Sequence, residues 1–263
     1  MKNLLHAFLF GGLFSVAGQL FIFAWSAVLG QGDALVNPLT MVTMGVLGLI
    51  LFVTGISPKL EKYTTMGVTI PISGMVIAIG GVTLGTKLET GSAGAAAKAG
   101  AGLPLRVLGT GALVSVILSA VLWFATHGSL EMTFEAAAFG PLADVLLAFV
   151  VGGVIALVAE AILLATKAPV PVLLIAFIIV GALMAAFNLD GAPIMNNGGF
   201  IVSLFAAGQA AYETFAVLLM GITPIPFVTV LCVYLSVTVL GIVAGLVRSA
   251  IIASDHANDT PVK

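Results

Sequence analysis

The stretch Gly67-Val68-Thr69-Ile70-Pro71-Ile72-Ser73-Gly74 sits inside a long apolar run and breaks it. Proline removes a backbone donor and clashes with the preceding helical turn, so a helix interrupts there. Gly80 and Gly81 weaken the same segment further on, and the broken piece extends from residue 64 to residue 86. Irregular backbone at membrane depth is tolerated only where protein buries it or where it lines a water-filled cavity. The surroundings make membrane depth the relevant setting. Of 263 residues, 60% are hydrophobic and 8% are charged, with a mean hydropathy of +1.24. Globular chains carry roughly 25% charged residues; this one lacks the polar surface to cover a soluble fold, and its apolar excess excludes disorder.

Outward from the break, helix 1 is expected over residues 4–29 and helix 2 from Asn37-Pro38 to Ser57-Pro58. Residues 91–102 read as a Gly/Ala/Ser linker. Helix 3 covers 103–125, helix 4 covers 141–166, helix 5 covers 169–187 and helix 6 covers 226–247. A second broken segment, 188–220, holds Asp190-Gly191, Pro193 and Asn196-Asn197-Gly198-Gly199. Ser15-Val16-Ala17 resembles a cleavage site, but the apolar run continues past it, so the first segment reads as a retained helix rather than a signal peptide.

Each broken segment is either a full span or a re-entrant hairpin, and the basic residues arbitrate. With two hairpins and a cytoplasmic N-terminus, Lys2, Lys59, Lys62, Lys87, Lys98, Arg106, Lys167, Arg248 and Lys263 all fall on the cytoplasmic side. Asp33, Glu131, Glu135 and Asp190 fall outside. A spanning first segment would place Lys87, Lys98 and Arg106 outside. The expected protein is therefore an all-α polytopic membrane protein with six transmembrane helices, two re-entrant hairpins near 64–86 and 190–220, and both termini in the cytoplasm.

The halves resemble each other. Ala7-Phe8-x-x-Gly11-Gly12 recurs as Ala148-Phe149-x-x-Gly152-Gly153, and at the same offset Gln19 meets Glu160. Further matches pair Gly48 with Gly181, Pro71-Ile72 with Pro193-Ile194, and Glu89-Thr90 with Glu213-Thr214. Three spans per half invert the second copy, giving a 3+3 inverted repeat. In that architecture interrupted segments at corresponding positions point to the transport site. The expected division is a first repeat over 1–126, an extracytoplasmic connection over 127–140, a second repeat over 141–252 and a cytoplasmic tail over 253–263.

The Ala-Phe-x-x-Gly-Gly motif followed by Gly18-Gln19, together with the Gly67–Gly74 run, resembles the sporulation stage V protein A membrane proteins of the C and E types. The resemblance covers residues 4–125. Family members are about half this length, so it implies a fused duplication. It also implies passage of a small carboxylate, dipicolinic acid, through a tension-gated channel in a bacterial inner membrane. The family's Asn after the motif glycine is absent near Met75; Asn196-Asn197 stand in the second half instead.

Ionisable groups inside spans are costly and mark functional positions. Glu160 and Glu213 are therefore the candidate proton sites. Gln209 lies four residues before Glu213 and shares its helix face. Gln19, Thr69, Pro71, Ser73, Glu160, Asn196, Asn197, Gln209 and Glu213 are the expected pore-lining or substrate residues. Helix N-termini at the breaks would attract an anion. Gly81-x-x-x-Gly85 and Gly241-x-x-x-Gly245 read as close-packing motifs, and Trp25 and Trp123 as interfacial anchors.

The single cysteine, Cys232, forms no disulfide or metal site within the chain, and His6, His127 and His256 are scattered. No metal cluster, cofactor motif or catalytic constellation appears, so no enzyme is expected. The expected partners are the lipid bilayer and a small solute, with a homo-oligomer or further membrane subunits; nothing points to nucleic acid. The function classes are a channel-like passage, a proton-coupled secondary transporter and a non-transporting scaffold subunit.

Overall fold

The computed structural model describes residues 2–125, 140–187 and 197–259. These form the helices α1 (Lys2–Leu29), α2 (Val36–Val53), α3 (Ser57–Glu61), α4 (Met66–Thr69), α5 (Ile72–Thr90), α6 (Ala93–Ala125), α7 (Pro141–Thr166), α8 (Val170–Ala186), α9 (Gly198–Ile201), α10 (Leu204–Leu219) and α11 (Ile225–Asp259). Six of them are long and apolar enough to cross a membrane: α1, α2, α5, α6, α7 and α11. That set is not the expected one. By length α5 qualifies, whereas α8, read from sequence as a span, is a shorter apolar helix.

Two boundaries differ from the sequence reading. The expected linker at 91–102 is helix from Ala93 onward, with the chain reversing only at Gly91 (φ 69°). Ala93 and Ala95–Ala97 supply enough helix propensity to override the interspersed glycines, and Ser92 caps the start by accepting from the Ala95 N–H (3.2 Å). At the other end, α11 runs past residue 247 and takes in the beginning of the expected tail.

The core is an apolar cluster that includes Met44, Met66, Met75, Ile79, Leu174 and Ile178, all at most 1% exposed. Around it, large apolar side chains such as Leu5, Leu13, Leu105 and Leu235 face outward, as lipid-facing residues do.

Two long helices, α1 and α7, cross on small residues. Gly12 lies under the Phe149 ring and Gly153 under the Phe8 ring. The two rings meet edge to face with centroids 5.5 Å apart. The first turn of α4 touches Ala7 of α1 and Glu160 of α7, while the first turn of α9 touches Gln19 and Ala148. Position 7 is thus level with 160 and position 19 with 148, so the helices run antiparallel. Twelve helical residues cover about 18 Å; α4 and α9 start that far apart along the pair.

Beyond Pro71 the chain turns alongside α2 and α11. Gly48 lies on Ser73, Gly80 faces Phe52, and Gly241 and Gly245 sit against the Val76 and Gly80 carbonyls. Arg248 in turn donates to the Val53 carbonyl (3.0 Å). α5 therefore runs parallel to α2 and α11, and then α6 returns antiparallel, with Gly100 on Thr83. The surroundings of α10 match: Gly181 of α8 lies on the Phe205 carbonyl as Gly48 of α2 lies on that of Ser73. Gly241 and Gly245 do serve close packing; Gly81 and Gly85 face open space and do not.

Candidate functional site: the crossing of two broken segments

α4 is a single turn whose amides need acceptors, because the first N–H groups of any helix lack partners within it. One oxygen of Glu160 supplies them. Its Oε2 accepts from Thr64 Oγ1 (3.0 Å), the Thr65 N–H (3.2 Å) and the Met66 N–H (2.7 Å). Thr64 Oγ1 also accepts from the Gly67 N–H (3.1 Å). At α9 the same need is met by neutral groups. Gln19 Oε1 accepts from the Gly198 N–H (2.7 Å), and Asn197 caps the turn by accepting from the Gly199 N–H (2.8 Å). Glu160, Gln19 and Asn197 are all buried. Gly67 and Gly199 take matching places: a side chain on Gly67 would strike the backbone of Ala7, and one on Gly199 that of Ala148.

From these clamps the two segments approach each other and touch. The Ile72 N–H donates to the Val202 carbonyl (2.7 Å), and Pro71 and Ser203 form an isolated antiparallel bridge. Both are extended, Pro71 at φ −61°, ψ 150° and Ser203 at φ −88°, ψ 163°. Directly after them α5 and α10 begin, so two helix N-termini with their partial positive charge originate at the junction. Beside it, Gly11 and Ser15 of α1 and Gly152, Ile155 and Ala156 of α7 line a narrow cleft with no room for a water molecule.

Among the other residues singled out in the sequence, Thr69 donates back to the Thr65 carbonyl (2.7 Å) two positions before Pro71. Ser73 is fully buried and its hydroxyl has no hydrogen-bond partner among the described residues. Gln209 donates to Glu213 Oε1 (2.6 Å) along α10, in its second and third turns rather than at the bridge. Asn196 lies outside the described residues, as do Pro193 and Ile194. Among the described residues, Pro71 is paired across the crossing with Ser203, and each directly precedes a long helix. The Glu89–Glu213 match dissolves: Glu89 is exposed at the end of α5, while Glu213 is half-buried within α10. Sequence reasoning missed Ser203, Ser15 and Thr64. The Gly48–Gly181 offset, carried forward from Pro71, lands within one residue of Ser203 and was the available signal.

Loss of the Gln19 amide should cost about 1–3 kcal/mol, because the Gly198 N–H is then buried unsatisfied; denaturation of Gln19→Ala in detergent measures it. Ser73→Ala should leave stability unchanged or slightly raise it, since no hydrogen bond is lost.

Basic groups gather at one end. Arg248 joins Val53; Lys59 lies on α3; Lys87 lines a groove with Leu246 and Ser249; Lys167 closes α7, seven residues past Glu160. Asp33 and Asp144 sit at the opposite end, beyond α1 and at the start of α7.

Long apolar helices enclosing two broken segments whose ends touch define a multi-pass helical membrane protein. Residues 3–124, spanning α1 to nearly the end of α6, match the family model described as SpoVAC/SpoVAEB sporulation membrane protein. Over that stretch, somewhat less than half of its length, the chain is similar to this family. No curated protein and no solved structure matches the chain.

Proposed function

We propose that the chain is a fused duplication of the SpoVAC/SpoVAEB unit that conducts a small solute where its two broken segments cross. In this reading α1, α2, α6, α7, α8 and α11 are the six spans. α4–α5 and α9–α10 are re-entrant hairpins entering from opposite faces, and the whole is a 3+3 inverted repeat. Antiparallel α1 and α7, and the direction of α5 back along α2, support it. The observation that carries it is the hydrogen bond from Ile72 to Val202, which joins the two breaks between α1 and α7. A tightly packed crossing suits a channel at rest.

The solute is a small carboxylate of the dipicolinic acid type. Family likeness supports that class, and so do the N-termini of α5 and α10, which favour negative charge. The start of α1 and the later turns of α11 lie at the basic end, and by the positive-inside rule that end is taken as cytoplasmic in this reading. Cysteines in place of Ala95 and Thr133 should label from opposite sides of the membrane; labelling from the same side overturns the hairpins.

The three bonds that Glu160 accepts suit a clasp on α4 better than a mobile proton site, which favours the channel over a proton-coupled carrier. Proteoliposome flux of dipicolinate separates them. A channel conducts without a pH gradient and responds to bilayer tension. Uptake driven by a pH gradient and lost in Glu213→Gln would establish the carrier. Absence of flux until other subunits are added would make the chain a scaffold.

A further inference from the structure

Outside the crossing, α6 and α11 form the walls of an apolar groove of about 430 Å³, lined by Pro104, Leu105, Leu108, Gly109, Leu235 and Thr238 among others. It opens on the lipid-facing surface: its rim residues Leu105 and Leu235 are 74% and 65% exposed. Nothing polar inside it needs a partner. Tyr234 donates its hydroxyl to the Ala207 carbonyl (2.6 Å) and Thr238 to the Tyr234 carbonyl (2.8 Å).

Beside the groove stands Arg106. It directly follows the lining residue Leu105, and Gly109 lies one turn on. Its side chain is exposed, and no described residue gives it a hydrogen bond or an ion pair. It also lies about two turns into α6 from Gly100, which faces Thr83. An arginine at that depth on a lipid-facing helix is costly. It must turn its head toward the interface and find an anion there. Arginine suits phosphate through its paired N–H groups.

We infer that the α6–α11 groove binds one phospholipid, with an acyl chain between the helices and the phosphate on Arg106. The two features suit different parts of one molecule: a dry, satisfied slot for hydrocarbon, and an exposed cation one residue beyond the rim residue Leu105. Tyr234 carries the consequence inward. It forms the groove wall and holds the backbone of α10 four residues after Ser203, so a bound chain presses on the segment that makes the crossing. The lipid site stands whether or not the solute assignment does.

The test uses the full chain in proteoliposomes with Trp25 and Trp123 replaced by phenylalanine and a single reporter, Leu235→Trp, at the groove. Brominated-chain phosphatidylglycerol is titrated into phosphatidylcholine and quenching is read. Half-maximal quenching is expected at about fivefold lower phosphatidylglycerol fraction with Arg106 than with Arg106→Gln, the effect of one cation near a membrane phosphate. Arg106→Lys should retain most of the preference, and Gly109→Leu, which fills the slot, should abolish it. A second reporter, Leu146→Trp on α7, should show no dependence on Arg106. Equal midpoints for Arg106 and Arg106→Gln at the groove reporter overturn the proposal. So does loss of quenching on adding inorganic phosphate, which would make the site one for the free anion.

Discussion

Glu160→Ala should destabilise the protein by about 3–5 kcal/mol, because each buried donor left without an acceptor costs about 1–3 kcal/mol. Three donors at the start of α4 converge on one carboxylate oxygen that is 2% exposed. Without it, Thr64 Oγ1 and the amides of Thr65 and Met66 face an apolar void too dry to replace the bonds. Glu160→Gln keeps an acceptor oxygen and should cost less, about 1–2 kcal/mol. The ratio of the two variants is informative. If glutamine restores most of the stability, the carboxylate works through hydrogen bonding; if it is as damaging as alanine, the charge itself holds α4. Denaturation in detergent followed by helical circular dichroism and gel filtration reads both. An alanine variant as stable as the parent removes the clasp from the account.

The second large effect is expected at Gly181. A side chain there would collide with the Phe205 carbonyl and backbone at the first turn of α10. Neither side can retreat, since α10 is also pressed at Gly208 by the Ile178 carbonyl. Gly181→Val should therefore prevent α8 from seating against α10 and leave little monodisperse protein, a loss exceeding the about 1–3 kcal/mol typical of overpacking. Gly85→Val, where nothing lies within 4 Å, is the matched control and should behave like the parent. The pair separates a true close approach from a general intolerance of β-branched residues in these helices.

How legible this was in the sequence differs between the two breaks. The first announces itself, because proline leaves a mark that no apolar context hides. The second is made by Asn197 and two glycines at its start and by an extended serine at its end; Ser203 is unremarkable as a letter, and the internal repeat in sequence pairs Pro71 with the nearby Pro193 instead. The α1–α7 crossing was readable because close contact demands glycine on one helix where the other presents phenylalanine, and the Ala-Phe-x-x-Gly-Gly motif writes both requirements in each helix. The same offset aligned Gln19 with Glu160 in sequence, and each caps a broken segment. What each caps could not be read, since the acceptors meet backbone amides, and every residue has one. The stretch 91–102 misled for a different reason: its glycines suggested a linker, but alanine propensity and the packing of Gly100 on Thr83 keep it helical. The basic residues are the sequence signal that bears on direction, and they gather at the end where α2, α5, α7 and α11 finish.

The central claim is that solute passes where Pro71 and Ser203 meet. A double variant, Pro71→Cys and Ser203→Cys in a Cys232→Ser background, addresses it. Residues directly opposite in an antiparallel bridge hold their Cβ atoms about 4.5–5.5 Å apart, close enough for a disulfide with slight adjustment. Dipicolinate flux from proteoliposomes is measured before oxidation, after it, and again after reduction. The prediction is that oxidation lowers flux to that of protein-free vesicles and reduction restores it. Flux that persists undiminished through a fully formed disulfide would place the pathway elsewhere and contradict the account.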